Sequence, residues 1–120
     1  MKTVLIVDDE PGVREILSQA LEEKGYDVRT AKNGEEALGD CIQFDFDLII
    51  TDSELAPGQP TKFNGRRLIE AVRGLGKDPK VVLISGNPAE LSDPPVGAVT
   101  LEKPVSLSNI FAVLWALLGA

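Results

Sequence analysis

The sequence predicts an α/β fold in which helices cover both faces of a parallel sheet. Three observations predict it. Residues 4–7, 48–50 and 81–84 form short, unbroken apolar runs, as expected of strands buried on both faces. Between the runs lie amphipathic segments whose apolar residues recur at helical spacing. The two patterns alternate five times along 120 residues, giving βα units that connect through right-handed crossovers.

The composition fits one domain over residues 1–120, with 43% hydrophobic and 26% charged residues. A net charge of −7 argues against a nucleic-acid partner, because phosphate binding needs a basic face. The single Cys41 excludes an internal disulfide and fits a reducing compartment. No His is present, which removes Ser-His-Asp and Cys-His catalysis and most zinc sites. Asp8, Asp9 and Glu10 end the opening apolar run too early for a signal peptide. No stretch reaches the ~18 apolar residues of a membrane span, so a cytoplasmic location without membrane contact is expected.

Each element follows in order. Val4 to Val7 make the first strand, and Pro11 suits the first turn of the helix behind it. Val13, Ile16, Leu17, Ala20 and Leu21 give that helix one apolar stripe, which Gly25 stops. Residues 27–31 form a more polar strand near a sheet edge. Asn33-Gly34 opens a second helix with Ala37, Leu38, Cys41 and Ile42 inward, which makes Cys41 a small core residue rather than a reactive thiol. The third strand ends at Asp52. A loop over residues 53–63 holds Pro57, Gly58 and Pro60, and Asn64 caps a third helix with Leu68, Ile69 and Val72 inward and Arg66, Arg67 and Arg73 solvated. The fourth strand ends at Ser85-Gly86-Asn87. Pro88, Pro94 and Pro95 leave room for only a turn or two of helix before the fifth strand, 98–101. Ser106 caps a last helix running to about Leu118.

Four of the five strands therefore end in polar groups with chemical potential: Asp8-Asp9, Asp52, Ser85 and Lys103. Each alone has an ordinary reading, as a helix cap, a turn residue or a solvated cation. Together they face one edge of the sheet, where open α/β folds bind ligands. Clustered carboxylates raise one another's pKa unless a cation intervenes. An all-oxygen donor set suits Mg²⁺. Lys103 adds a fixed positive charge and Ser85 a hydroxyl, an assembly suited to phosphoryl transfer with Asp52 as nucleophile.

The order Val4-Leu5-Ile6-Val7-Asp8-Asp9-Glu10, Leu48-Ile49-Ile50-Thr51-Asp52, Val81-Val82-Leu83-Ile84-Ser85-Gly86 and Lys103-Pro104 resembles receiver domains of two-component response regulators. The resemblance implies a flavodoxin-like (βα)5 doubly wound sheet of strand order 2-1-3-4-5. It implies that Asp52 accepts a phosphoryl group from a sensor histidine kinase or histidine phosphotransfer protein. By the same resemblance Asp9, Asp52 and the main-chain carbonyl of Glu54 bind Mg²⁺ or Mn²⁺, with Asp8 orienting a water on the metal. Ser85 and Lys103 hold the phosphoryl group, and the Lys103-Pro104 bond is cis. The protein is then expected to be a stand-alone phosphoacceptor switch rather than an enzyme, assisting its own phosphotransfer and dephosphorylation and signalling to a downstream protein.

Three departures from the family pattern stand out. Leu55-Ala56-Pro57 replaces the usual Met-Pro after the acceptor, and with Gly65 as the matching glycine the loop carries an insertion. The segment from Ser85 to Lys103 is short, so a shortened or irregular fourth helix is expected. The family's switch aromatic falls on Thr100, which cannot rotate a ring inward. The final helix carries no charge from residue 109 to 120, and its apolar arc exceeds what sheet packing needs. A homodimer or docking surface through Phe111, Val113 and Trp115 is expected. A third reading, a receiver used as a constitutive scaffold and never phosphorylated, shares the same residues, and two other rivals fit less well. An aspartyl phosphohydrolase of the haloacid-dehalogenase type needs a second Asp where Glu54 stands, and an FMN carrier would place phosphate against Asp8-Asp9-Glu10.

Overall fold

The computed structural model describes residues 1–55 and 63–119. Ten elements alternate along the described residues: β1 (Thr3–Val7), α1 (Pro11–Glu23), β2 (Asp27–Ala31), α2 (Gly34–Gln43), β3 (Leu48–Asp52), α3 (Gly65–Gly74), β4 (Lys80–Ser85), α4 (Pro88–Ser92), β5 (Ala98–Glu102) and α5 (Leu107–Leu118). The strands pair in parallel, in the order β2-β1-β3-β4-β5. The insertion expected after Leu55 falls on residues 56–62, outside the described residues.

The unbroken apolar strands work because successive side chains point to opposite faces and both faces are covered. On one face Val4, Ile6, Leu48, Ile50, Val82 and Ile84 pack against Leu17 and Leu21 of α1 and Ile110 and Leu114 of α5. On the other, Leu5, Val7 and Ile49 meet Ala37 and Cys41 of α2 and Leu68 and Val72 of α3. Cys41 lies in that second layer, and burial pushes its thiol up to about 11, which keeps it an inert core group at neutral pH.

Local signals set the helix ends. Asn33, Asn64 and Ser106 accept backbone N–H bonds from Glu36, Arg67 and Asn109, satisfying donors that the first helical turn leaves free. Gly25 follows α1 with φ +94, a conformation that favours glycine.

Three expectations need correction. Ile16 and Ile42 lie outside their helices' buried stripes, 60% and 61% exposed, because each sits at the margin of an arc already filled by Leu17 and Leu21 or by Ala37 and Cys41. Arg66 and Arg73 are not simply solvated. Their Nη2 atoms donate to the main-chain carbonyls of Asp93 and Val96, tying α3 to the segment after α4. That segment needs such ties because α4 is only five residues long.

α5 is apolar around most of its circumference. Phe111 and Val113 are half-buried against the core, whereas Trp115 stays 66% exposed. The Lys24 ammonium lies 5.0 Å from the centre of the Phe111 ring and covers it.

Candidate functional site

The sheet register brings the strand tips to one level. Val7 pairs with Thr51, Asp52 with Ile84, and Ser85 with Glu102, so the next residue of β1 and of β5 projects from the same edge. Parallel pairing continues one step past the strands: the Asp8 N–H donates to the Ala31 carbonyl (3.1 Å), Ser53 N–H to Ile84 (2.9 Å) and Lys103 N–H to Ser85 (2.9 Å). The functional side chains are thus held by backbone that is still hydrogen-bonded.

Carboxylate oxygens of Asp8, Asp9 and Asp52 lie within 4.8 Å of one another. Lys103 Nζ sits 2.7 Å from Asp52 Oδ2, while Asp52 Oδ1 accepts the Glu54 N–H at 3.0 Å. Asp8 Oδ1 accepts the Glu10 N–H at 2.9 Å. Asp52 and Asp8 are buried.

Burial raises the Asp8 carboxyl from its ordinary 3.8 to about 6. The Glu10 N–H and Lys103 act against that rise, and the charges of Asp52 and Asp9 add to it. For Lys103, burial disfavours the ammonium, but the hydrogen bond and charge of Asp52 outweigh it and raise the pKa above 10.5. The pocket is an acidic hollow with one lysine locked on its central carboxylate. Its donors are all oxygen, which fits a hard divalent cation such as Mg²⁺.

Ser85 is buried beside this group, its hydroxyl accepting the Asn87 N–H at 3.0 Å. The Lys103-Pro104 peptide is cis. Thr100 stands apart: it pairs with Leu83 in the middle of the outermost strand, half-buried, short of the carboxyl edge where the acids meet.

Two further contributors carry no role in the sequence pattern, and a third, Gly65, figures there only as a matching glycine. Arg14 Nη1 donates to the Asp8 carbonyl at 2.7 Å. The Thr51 hydroxyl donates to the Asp52 carbonyl at 2.9 Å. Gly65 brings the start of α3 so close that a Cβ there would lie 2.5 Å from the Asp52 carbonyl oxygen. No motif flags Arg14, and the motif that contains Thr51 gives it no role, since both act on main-chain atoms.

A doubly wound sheet whose carboxyl edge carries such a lysine-paired carboxylate defines a phosphoacceptor module of the receiver class. The chain belongs to the response regulator receiver domain family, which it matches over residues 4–114. It is 30% identical to the response regulator receiver protein CpdR of Brucella abortus over 92% of this chain and 91% of that protein. It is 33% identical to the nitrogen assimilation regulatory protein NtrX of Azorhizobium caulinodans over 70% of this chain, and that match spans 18% of NtrX. Among solved structures, chemotaxis protein CheY4 of Vibrio cholerae superposes with TM-score 0.84 at 31% identity, covering 98% of this chain and 99% of the other. Response regulator TrrA of Thermotoga maritima, solved in complex with Mg(2+)-BeF, gives TM-score 0.84 at 35% identity, covering 98% and 100%.

The chain is therefore a receiver domain of two-component phosphoacceptor signalling. Receiver domains interact with histidine kinases or phosphotransfer proteins and bind Mg²⁺ at an acidic pocket. No helix among the described residues is long and apolar enough to cross a membrane.

Proposed function

We propose that Asp52 is the phosphoacceptor of this receiver. A carboxylate oxygen of Asp52 attacks the phosphorus of a phosphohistidine on a sensor histidine kinase or phosphotransfer protein. The P–N bond breaks, the imidazole leaves, and an acyl phosphate forms. These 120 residues hold no His, so the phosphohistidine lies outside them. The observation that carries the reading is the 2.7 Å pair between Lys103 and Asp52 beside the convergent Asp8 and Asp9 carboxylates. Lys103 steadies the phosphoryl oxygens, and Ser85 donates its hydroxyl to them.

Asp8, Asp9, Asp52 and the main-chain carbonyl of Glu54 would hold Mg²⁺ or Mn²⁺, which supplies positive charge against the phosphoryl oxygens. The same groups assist hydrolysis of the acyl phosphate, so the protein is a self-resetting switch rather than an enzyme acting on a separate substrate. We place it in the cytoplasm, with output through a downstream protein. Ser85 shifts towards the phosphoryl group, and with Thr100 in the fifth strand no ring burial accompanies that shift.

The charge-free α5, with Trp115 exposed, supports a homodimer in which two copies of a −7 chain meet without apposing like charges. Sedimentation over a concentration series tests it, and a monomer at all concentrations would refute it. Acceptor chemistry is tested by incubation with Mg²⁺ and a small acyl phosphate, reading intact mass. A phosphoryl adduct is expected on wild type and not on Asp52→Asn; an equal adduct on both would move the acceptor elsewhere.

A further inference from the structure

The turn that carries Asp8 and Asp9 into the pocket lacks the usual helix cap. Glu10, before α1, makes no side-chain capping bond, and Pro11 has no N–H to offer. Three contacts fix the turn instead, and all three converge on Asp8. Its N–H donates to Ala31, its Oδ1 accepts from Glu10, and its main-chain carbonyl accepts from Arg14 Nη1 at 2.7 Å. Arg14 is itself seated by the first turn of α1, where its N–H donates to the Glu10 carbonyl at 3.2 Å.

We infer that Arg14 is a positioning residue for the divalent-cation site: by holding the Asp8 carbonyl it fixes the aim of the Asp8 and Asp9 carboxylates. The inference rests on the proposed reading of those acids as metal ligands. Three carboxylates within 4.8 Å repel one another, and Asp9 meets the other two one residue past Asp8, the last position of this segment bonded to β2. Without a hold, the turn relaxes outward and the cation must first gather its ligands. Arg14 is placed to supply that hold through geometry. Its guanidinium faces the peptide oxygen. Outer partners that orient metal ligands change affinity by about 10–100-fold when removed.

The sign of the effect separates this role from a purely electrostatic one. A cation near a cation site repels the metal, so deleting it as a charge tightens Mg²⁺ binding, whereas deleting it as a brace weakens binding. The experiment is calorimetric titration of the full chain with Mg²⁺, comparing wild type, Arg14→Gln, Arg14→Lys and Asp52→Asn. Arg14→Gln is expected to raise the Kd at least about tenfold, and Arg14→Lys to recover much of the loss by reaching the same carbonyl. Arg14→Met, of similar length, serves if the Gln variant fails to fold. Unchanged or tighter Mg²⁺ binding in the Gln or Met variant overturns the role of Arg14 and leaves the site reading intact. Failure of the wild type to bind Mg²⁺ overturns the site reading and this inference together.

Discussion

Lys103 Nζ lies 2.7 Å from Asp52 Oδ2 although their strands, β5 and β3, are separated by β4. The lysine reaches over the tip of β4 to do so. Its side chain is 43% exposed, so the pair contributes below about 1 kcal/mol to stability. Its value lies in chemistry. Lys103→Gln is expected to leave the denaturation midpoint nearly unchanged while slowing acyl-phosphate labelling of Asp52 by about 100-fold. Labelling at the wild-type rate would remove Lys103 from the transfer step.

Asp8 gives a pH signature. Its carboxyl is raised to about 6 in the fold against 3.8 unfolded, so the folded state binds the extra proton. That contribution is fully present below pH 3.8 and is lost as pH rises through about 6. Without metal, Asp8→Asn should therefore stabilise the protein at pH 7–8, by at most about 3 kcal/mol at 1.36 kcal/mol per unit. The gain should shrink towards zero near pH 4 (about the unfolded carboxyl value). Mg²⁺ binding to the wild type should weaken as pH falls below about 6, because protonation removes one of the negative charges that favour the cation. Urea titrations at several pH values, with and without Mg²⁺, check both slopes.

Gly65 is where α3 meets the end of β3. A Cβ there would come within 2.5 Å of the Asp52 carbonyl oxygen and 3.0 Å of the Ser53 Cα, both backbone atoms with little room to yield. Gly65→Ala is expected to cost about 1–3 kcal/mol and to slow labelling of Asp52. A neutral effect in denaturation would mean that α3 can shift away freely.

The ties from α3 to the segment after α4 predict a local effect. Arg73 donates to the Val96 carbonyl at 2.6 Å, beside Gly97 with φ +77. Arg73→Gln should lower amide protection around residues 96–98 in hydrogen exchange while changing global stability by less than about 1 kcal/mol. Protection unchanged there would assign no anchoring to Arg73.

Periodicity and punctuation made the scaffold legible. Continuous apolar runs gave the doubly covered strands, and Asn33, Asn64 and Ser106 marked helix starts that their side chains do cap. The shortness of α4 followed from Pro88, Pro94 and Pro95, since proline limits what the backbone can do locally. The two misread apolar positions share one cause: the apolar stripes of α1 and α2 looked one residue wider than the sheet could cover, leaving Ile16 and Ile42 outside. A sequence gives the phase of a helix but not the width of the surface it meets.

Residue types and their order were enough to determine which groups stand at the strand tips, because strand phase and strand ends are local properties. Only the tertiary structure decided how those groups are aimed. Arg14 on the Asp8 carbonyl, α3 pressed on Asp52 through Gly65, and Arg66 and Arg73 on the Asp93 and Val96 carbonyls all use main-chain oxygens that every residue possesses. Such contacts leave no mark in side-chain pattern, and they exist only once packing brings distant segments together.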